Sequence, residues 1–453
     1  MNNQEICPIK YNFMGFLWKL YTRGEDNSKD PLFDYLYKFC INEYCYDLSR
    51  EGFLGQGSFF RAYKCKSILL ESEGKVYSRT LRIGLLSCLK SHRSVIYYGS
   101  GEYIVISMYQ RFLIECLMMS FLNHTNIVNV YEVIELPNSN QIISVQEYLP
   151  FSIMYWDEET CSYSAKRNQN LFVYPEHIAL KIFSQIVSCV EYLHCNNVVH
   201  KDIKPDNILA SESLEDYAVY LSVDSSRVDS DSDICSQISS NSSFEDICLW
   251  HDAPTFTSLK LARDSFHEFL KKNSKVCLLE YIRESLDCTQ NNKANKIPMF
   301  NTLLLNTGPR FKPNKLKAKP QKNSFPIVKL ADFNSAVVVD QKSCIYDSEG
   351  TLVFIPPECF TLKCPEEGVS GYKRDIWSLG CLLYCLLTGK LPYYGTTFRE
   401  LLDSIRRTKT NLNYNIDVTE ETKLLIQNML NPNPKERLSI QEVKRFLELK
   451  LTD

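Results

Sequence analysis

The stretch His200-Lys201-Asp202-Ile203-Lys204-Pro205-Asp206-Asn207-Ile208-Leu209 decides how this chain is read. It follows the apolar pair Val198-Val199 and a run from Pro175 to His194 in which Ile178, Ile182, Ile186, Val190 and Leu193 share one helical face. Pro175 suits the first turn of such a helix. A helix and an apolar pair thus deliver a short loop with one acid, one lysine and one amide at fixed offsets. Transfer of a phosphoryl group needs such a set. Asp202 can orient or deprotonate an attacking hydroxyl, Lys204 can neutralise the moving phosphate, and Asn207 can give an oxygen to Mg2+.

Other pieces stand around that loop in a definite order. Leu54-Gly55-Gln56-Gly57-Ser58-Phe59 reads as a glycine-rich turn between strands, where backbone amides approach phosphates closely. Taken alone, G-x-G is as consistent with a plain hairpin. Asp332-Phe333-Asn334 follows a strand ending at Leu330 and places a second carboxylate for Mg2+. Gly350-Thr351, Pro356-Pro357-Glu358, Asp375-Ile376-Trp377-Ser378-Leu379-Gly380 and Arg437 come next. With this order, and with His200 to Asn207 close to the pattern H-R-D-x-x-x-x-N, the chain resembles a eukaryotic protein kinase.

The resemblance implies an α+β, bilobal fold with a small β-rich lobe carrying one αC helix, a larger helical lobe, and a long insertion in the latter. It implies ATP and Mg2+ as cofactors and a protein as substrate. Glu115, nine residues before His124 in ECLMMSFLNHTNIV, is similar to the ion-pairing glutamate of αC within a helix read over Met108 to Leu122. The apolar face of that helix is Phe112, Leu113, Cys116, Leu117 and Met119. Gln146 resembles the gatekeeper and Glu147 to Leu149 the hinge whose backbone holds adenine, with Leu54, Ala62 and Leu209 sandwiching the base. Glu358 is expected to pair with Arg437. Lys204, and Thr351 with its hydroxyl against Asp202, favour serine/threonine over tyrosine specificity.

Among subgroups the chain is most similar to calcium/calmodulin-dependent kinase kinases, which phosphorylate other kinases. The supporting features are the long stretch Gly84 to Gln110 before αC, the run GTLVFIPPE, and the spacer TLKCPEEGVSGYKRDIWS. The chain ends at Asp453, just past the last kinase helix, so a C-terminal calmodulin-binding segment is not expected.

Five positions depart from the pattern. The register Arg79-Thr80-Leu81-Arg82-Ile83 puts Arg82 where V-A-I-K has its lysine, and Thr80 where a small residue packs on adenine. Arginine keeps the charge, but its planar fork is not a compact ammonium. Lys90 is an alternative that requires a longer hairpin. Phe60 replaces the third loop glycine and is expected where the lid lies over phosphate. Asn334 replaces the glycine of D-F-G, and Lys201 the arginine of H-R-D that in many kinases clamps a phosphorylated activation loop.

Composition excludes several other classes. Of 453 residues, 44% are hydrophobic and 23% charged, as in ordinary globular chains. A net charge of −3 gives no field that points to nucleic acid or an anionic membrane. No run reaches 18 apolar residues, so no span is expected, and Phe13 to Leu20 is short and interrupted by Lys19. The 18 cysteines form no paired C-x-x-C and read as free thiols in a reducing compartment, with Cys381 and Cys385 as core packing. A cytoplasmic protein is the expectation.

Five segments follow: an extension over 1–40 without an assigned role, a small lobe over 41–148, a large lobe over 149–210 and 326–450, and an insertion over 211–325. The insertion opens with 12 serines and 9 acids against the single Arg227 between Ser211 and Ile247, and closes with six basic residues and no acid between Arg310 and Lys322. Such opposed blocks suit solvated chain that can bind an unknown protein partner. Apolar residues in 256–288 allow one or two helices. Ser230 and Ser232 between aspartates are either acceptors for an acid-directed kinase or plain linker. The basic run could dock an acidic partner, fold back on the acidic block, or direct nuclear import. Ser343, Tyr346 and Ser348 are candidate regulatory phosphosites. Two functions remain open: an active kinase with Asp202, Asn207 and Asp332 intact, or a pseudokinase scaffold on account of Arg82 and Phe60.

Overall fold

A computed structural model describes residues 37–41, 44–69, 76–97, 103–136, 140–169, 172–220, 325–339, 343–360, 368–395, 397–408, 414 and 417–452. The first half supplies strands Tyr37–Ile41 (β1), Tyr44–Gln56 (β2), Phe60–Leu69 (β3) and Val76–Leu85 (β4), and the short helix Leu86–Ser91 (α1). The hairpin Arg93–Tyr97 (β5) with Tyr103–Ser107 (β6) precedes helix Met108–Phe121 (α2), and strands Val130–Leu136 (β7) and Gln141–Glu147 (β8) complete the lobe. Six strands form one antiparallel sheet in the order β1-β2-β3-β4-β8-β7. Helix α2 begins at a capping box in which the Ser107 hydroxyl accepts from the Gln110 N–H and the Gln110 side chain accepts from the Ser107 N–H. Phe112, Cys116 and Met119 on its inner face are buried; the side chain of Leu117 lies outside the described set.

Two boundaries differ from the sequence reading. Strand β1 starts at Tyr37, so the small-lobe sheet begins inside the segment read as an extension, because the β-forming run YKFCI pairs with β2 from Ile41↔Tyr44 outward to Tyr37↔Leu48. The fold also continues past Ala210 to Tyr220, where Val219–Tyr220 pairs with Phe172–Val173. The stretch Gly84 to Gln110, read only as a long connection, holds α1 and the β5–β6 hairpin, whose alternating SVIY and YIVIS runs flank Gly99-Ser100-Gly101. Residues 1–36, the helices expected in 256–288, Ser230, Ser232 and the run Arg310 to Lys322 lie outside the described residues.

The large lobe is built on helices Glu176–Cys195 (α3) and Gly371–Thr388 (α4), followed by Phe398–Thr408 (α5), Glu420–Met429 (α6) and Ile440–Thr452 (α7). Nearly every residue of α4 is buried, Cys381 and Cys385 among them. Helix α3 is, among the described residues, long and apolar enough by composition to cross a membrane, but 61% of that window is buried inside the fold, where Ile182, Ile186 and Val190 belong to the core. Strand Ile208–Ala210 pairs antiparallel with Val328–Leu330, so Ile208 meets Leu330 and Ala210 meets Val328. The chain on either side of the insertion is thereby joined next to His200 to Asn207. One apolar core runs from Phe112 and Met119 of α2 through Leu330 and Phe333 to the large-lobe helices, and a smaller cluster gathers Val199, Val339, Ile345, Ile355 and Cys359.

Candidate active site

The loop His200 to Asn207 is fixed from below by the buried carboxylate of Asp375 in α4. That side chain accepts the N–H groups of His200 and Lys201, each at 3.0 Å, and lies 3.0 Å from His194 Nε2. Lys201 takes the left-handed conformation, φ +67°, which turns the chain sharply just before Asp202. His200 is fully buried against the edge of Phe333, and burial lowers its pKa, so the ring is neutral as it meets the Ala331 carbonyl at 3.2 Å.

Asp202 is the centre of the arrangement. Its Oδ1 accepts the Thr351 N–H at 2.9 Å and the Thr351 hydroxyl at 2.7 Å, while Oδ2 accepts from Asn207 Nδ2 at 3.0 Å and faces Lys204 Nζ at 3.3 Å. Lys204 Nζ also donates to Thr351 Oγ1 at 2.7 Å. Burial would raise the Asp202 carboxyl, but the Lys204 charge and the Thr351 bonds outweigh it and hold the pKa below the ordinary value, so the group is a carboxylate at neutral pH. Gly350 makes the close approach possible. Its φ is +118°, and a Cβ there would stand 2.6 Å from the Lys201 carbonyl.

Asn207 Nδ2 is committed to the Asp202 backbone carbonyl at 2.8 Å as well as its carboxylate, which leaves the amide oxygen as the end available to a cation. Asp332 follows the strand ending at Leu330 and adopts φ +57°; its side chain is 46% exposed, open to a ligand. These hard oxygen donors fit a divalent ion such as Mg2+. No cluster of three or more His, Cys, Asp or Glu with metal-binding geometry occurs among the described residues. The unusual backbone angle falls on Asp332 and not on Asn334, which sits in the short helical turn Phe333–Ser335, so replacing glycine by asparagine there requires no left-handed residue.

Arg82 on β4 reaches this group from above. Its Nη1 donates to Glu115 Oε1 of α2 at 2.6 Å, and Nη2 lies 3.8 Å from Asp332 Oδ1. Glu115 is 2% exposed, and burial raises its pKa despite the Arg82 charge. Lys90, the alternative cation, is in a different place: it is half exposed, pairs with Glu135 at 3.5 Å and lies over Tyr109.

The glycine turn closes with the Gly57 N–H donating to the Phe60 carbonyl at 2.8 Å. Phe60 does not lie over the turn as expected from the sequence. Its ring packs inward, 4.7 Å from the Phe112 ring of α2 and against Gly84, where an added Cβ would stand 2.7 Å away. The apolar contact and the missing side chain at Gly84 give the ring a partly buried seat. Gly55 has no atom within 4 Å of the position a Cβ would take, so the turn has open space beside it. Ala62 pairs with Gly55 and Arg82 in the sheet, Leu209 with Ser152, and Leu149 is buried at the link between lobes, while Leu54 is 47% exposed. Glu147 uses its N–H on the Asn129 carbonyl and its carboxylate on Lys329, at 2.9 and 2.8 Å. Glu358 and Arg437 form a bidentate pair at 2.6 and 2.9 Å.

Sequence reasoning missed three side chains beside this site: Arg111, Asp347 and Glu349. Arg111 stands one helical turn before Glu115, and the two acids flank Ser348 just ahead of Gly350; those placements were the available signal.

The family model described as protein kinase domain matches residues 101–246 and 312–446, starting beyond the glycine turn and Arg82. A probable serine/threonine-protein kinase of Dictyostelium discoideum is 22% identical over 334 residues, which are 73% of this chain and 29% of the relative. Serine/threonine-protein kinase ssp1 of Schizosaccharomyces pombe is 33% identical over 130 residues, 27% of this chain and 20% of the relative. Serine/threonine-protein kinase GRIK1 of Arabidopsis thaliana is 22% identical over 423 residues, 93% of this chain and 68% of the relative. The chain thus spans less than a third of the first two relatives and about two thirds of the third. With more than half of its residues matched by the family model and the Asp202 constellation assembled, this chain belongs to the protein kinase family.

Proposed function

We propose that the protein is a serine/threonine kinase that uses ATP with Mg2+ and acts on other kinases. The observation that carries the reading is the closed set Asp202, Lys204, Asn207 and Thr351, with the Asp202 carboxylate held ionised at its centre. Thr351 beside Asp202 and Lys204 supports a serine or threonine hydroxyl as acceptor. The resemblance of the Gly84 to Gln110 stretch and of GTLVFIPPE to kinase kinases supports a kinase as substrate.

Bound ATP with its metal supplies the electrophilic γ-phosphoryl group. Asp202 orients the substrate hydroxyl and takes its proton, which its depressed pKa favours as an orienting charge more than as a strong base. Lys204, held beside Thr351, would offer a cation to the negative charge that develops on the transferring group. Asn207 through its amide oxygen and Asp332 through its carboxylate would hold the metal. Arg82, kept cationic by Glu115 and Asp332, would contact phosphate from the sheet side.

A second reading rests on one observation. Arg82 Nη2 stands 3.8 Å from Asp332 Oδ1, so the guanidinium competes with a metal for that carboxylate, as a scaffold without efficient transfer would tolerate. Incubating the purified protein with MgATP and peptides bearing serine, threonine or tyrosine separates the two. Phosphoserine and phosphothreonine are the expected products; a folded protein that binds nucleotide and modifies none of the peptides would support the scaffold. The insertion is proposed to bind a protein partner, and the protein to act in the cytoplasm with the nucleus open to it.

A further inference from the structure

A second charged cluster lies behind the site, where helix α2, the catalytic loop and the segment before Thr351 meet. Arg111 donates from Nη1 to Glu349 Oε1 at 2.7 Å, from Nη2 to the other Glu349 oxygen, and from Nε to the Asn334 carbonyl at 3.0 Å. Lys201, the residue before Asp202, donates to both oxygens of Asp347 at 2.9 Å and to Glu349 Oε2 at 3.1 Å. Arg374 of α4 donates to the backbone carbonyls of Asp347 and Lys201 at 3.3 and 3.1 Å. The Lys201 and Arg111 side chains are only 3% and 12% exposed, so each needs a counter-ion from within the fold.

Three cations from three separate elements thus converge on one stretch of chain, where its two carboxylates pair with Arg111 and Lys201 while Arg374 is held by backbone carbonyls with Asp347 Oδ1 3.8 Å away. Such a convergence is what a phosphate on a mobile segment would otherwise satisfy. Glu349 is the centre of the cluster. One carboxylate holds the helix that carries Glu115 and the loop that carries Asp202, two residues ahead of the Thr351 that bonds Asp202. Ser348, exposed between the two acids, would bring a phosphate to cations that are already paired.

We infer that Asp347 and Glu349 are positioning residues that lock helix α2 to the catalytic loop without phosphorylation of the segment, so that the kinase is switched on in its unmodified form. The inference rests on the kinase reading and adds to it a mode of control. Part of the sequence expectation changes with it: Ser348 is not a required activating phosphosite.

The test uses the full chain, treated with phosphatase until intact mass shows no phosphate, with MgATP and a generic serine/threonine peptide. The dephosphorylated protein is expected to keep its rate within about twofold, and Ser348→Ala to match wild type. Glu349→Gln is expected to lower kcat about tenfold with a smaller change in peptide KM, as for loss of a charge-assisted hydrogen bond. Glu349→Asp should recover part of the loss. Amide exchange over residues 108–121 should rise in Glu349→Gln by more than its loss of global stability, measured by urea unfolding at the same pH, accounts for. Loss of activity on dephosphorylation that returns on rephosphorylation overturns the inference, as does a Glu349→Gln variant with wild-type kcat. If wild type is silent in both states, the kinase reading fails by itself. Exchange then decides the lock: unchanged protection of residues 108–121 in Glu349→Gln overturns it, and lost protection supports it.

Discussion

The guanidinium carbon of Arg82 lies 5.0 Å from the centroid of the Phe60 ring. The two residues that depart furthest from the kinase pattern are therefore neighbours: the longer cation on β4 is covered by the ring that replaces a loop glycine. An aromatic face beside a desolvated cation is worth about 0.5 to 2 kcal/mol. Arg82→Lys and Phe60→Gly should accordingly be coupled. Measured by ATP affinity, the double variant is expected to differ from the sum of the singles by about 0.5 kcal/mol or more. Additive effects would show that the two substitutions are independent.

Lys90 separates the register from its rival. It is half exposed and engaged with Glu135 and Tyr109, away from Glu115. Lys90→Ala is expected to leave nucleotide affinity unchanged and stability within about 0.5 kcal/mol, whereas Arg82→Ala should weaken nucleotide binding and leave Glu115 buried without its partner. Calorimetric titration of both variants with MgATP checks this. Equal losses would overturn the assignment of Arg82.

The linear motif was enough to read Asp202, Lys204 and Asn207, because close chain spacing and one short loop fix their geometry, whereas Thr351, 149 positions from Asp202, was legible only through the family resemblance. Arg82 and Glu115, separated by 33 residues, were legible once a strand and a helix were recognised around them. The Arg111–Glu349 contact spans 238 positions and joins a helix to an irregular segment, so no periodicity could announce it. Phe60 was misplaced for a related reason. Its ring direction depends on the room left by Gly84 and on Phe112, neither of which a loop motif specifies. The β5–β6 hairpin was readable from its alternation, but the family resemblance drew that stretch as a connection.

Glu349 also gives the protein an acid-side signature. Burial would raise its carboxyl, but the Arg111 hydrogen bonds and the Lys201 charge outweigh that and bring the pKa down to about 2; an unfolded glutamate titrates at about 4.3. Stability from such a depressed group is complete above the unfolded value and is lost as pH falls toward the folded one. Asp202, also depressed, adds in the same sense. In urea titrations from about pH 5 down to about pH 2, wild type should lose on the order of 2 kcal/mol more than Glu349→Gln. Parallel curves would contradict the electrostatic account.

The Glu358–Arg437 pair predicts a stability effect away from chemistry. Arg437 is 1% exposed and also bonds the Lys373 and Asn431 carbonyls at 2.7 and 3.0 Å. Arg437→Ala removes the bidentate partner of the partly buried Glu358 carboxylate and the donor to two carbonyls, so unfolding free energy should fall by about 3 to 5 kcal/mol. A loss below about 1 kcal/mol in chemical denaturation would mean that water replaces the guanidinium.

The central claim is that Asp202 is the catalytic carboxylate of an active kinase, and phosphate incorporation by wild type and Asp202→Asn tests it most directly. With MgATP and a serine/threonine peptide, wild type is expected to transfer phosphate and the variant to lose at least about 10²-fold in kcat, with ATP affinity within about twofold, since Asn keeps the shape and the Thr351 contacts. Equal incorporation by the two proteins, or none by a folded wild type that binds MgATP, would contradict the account.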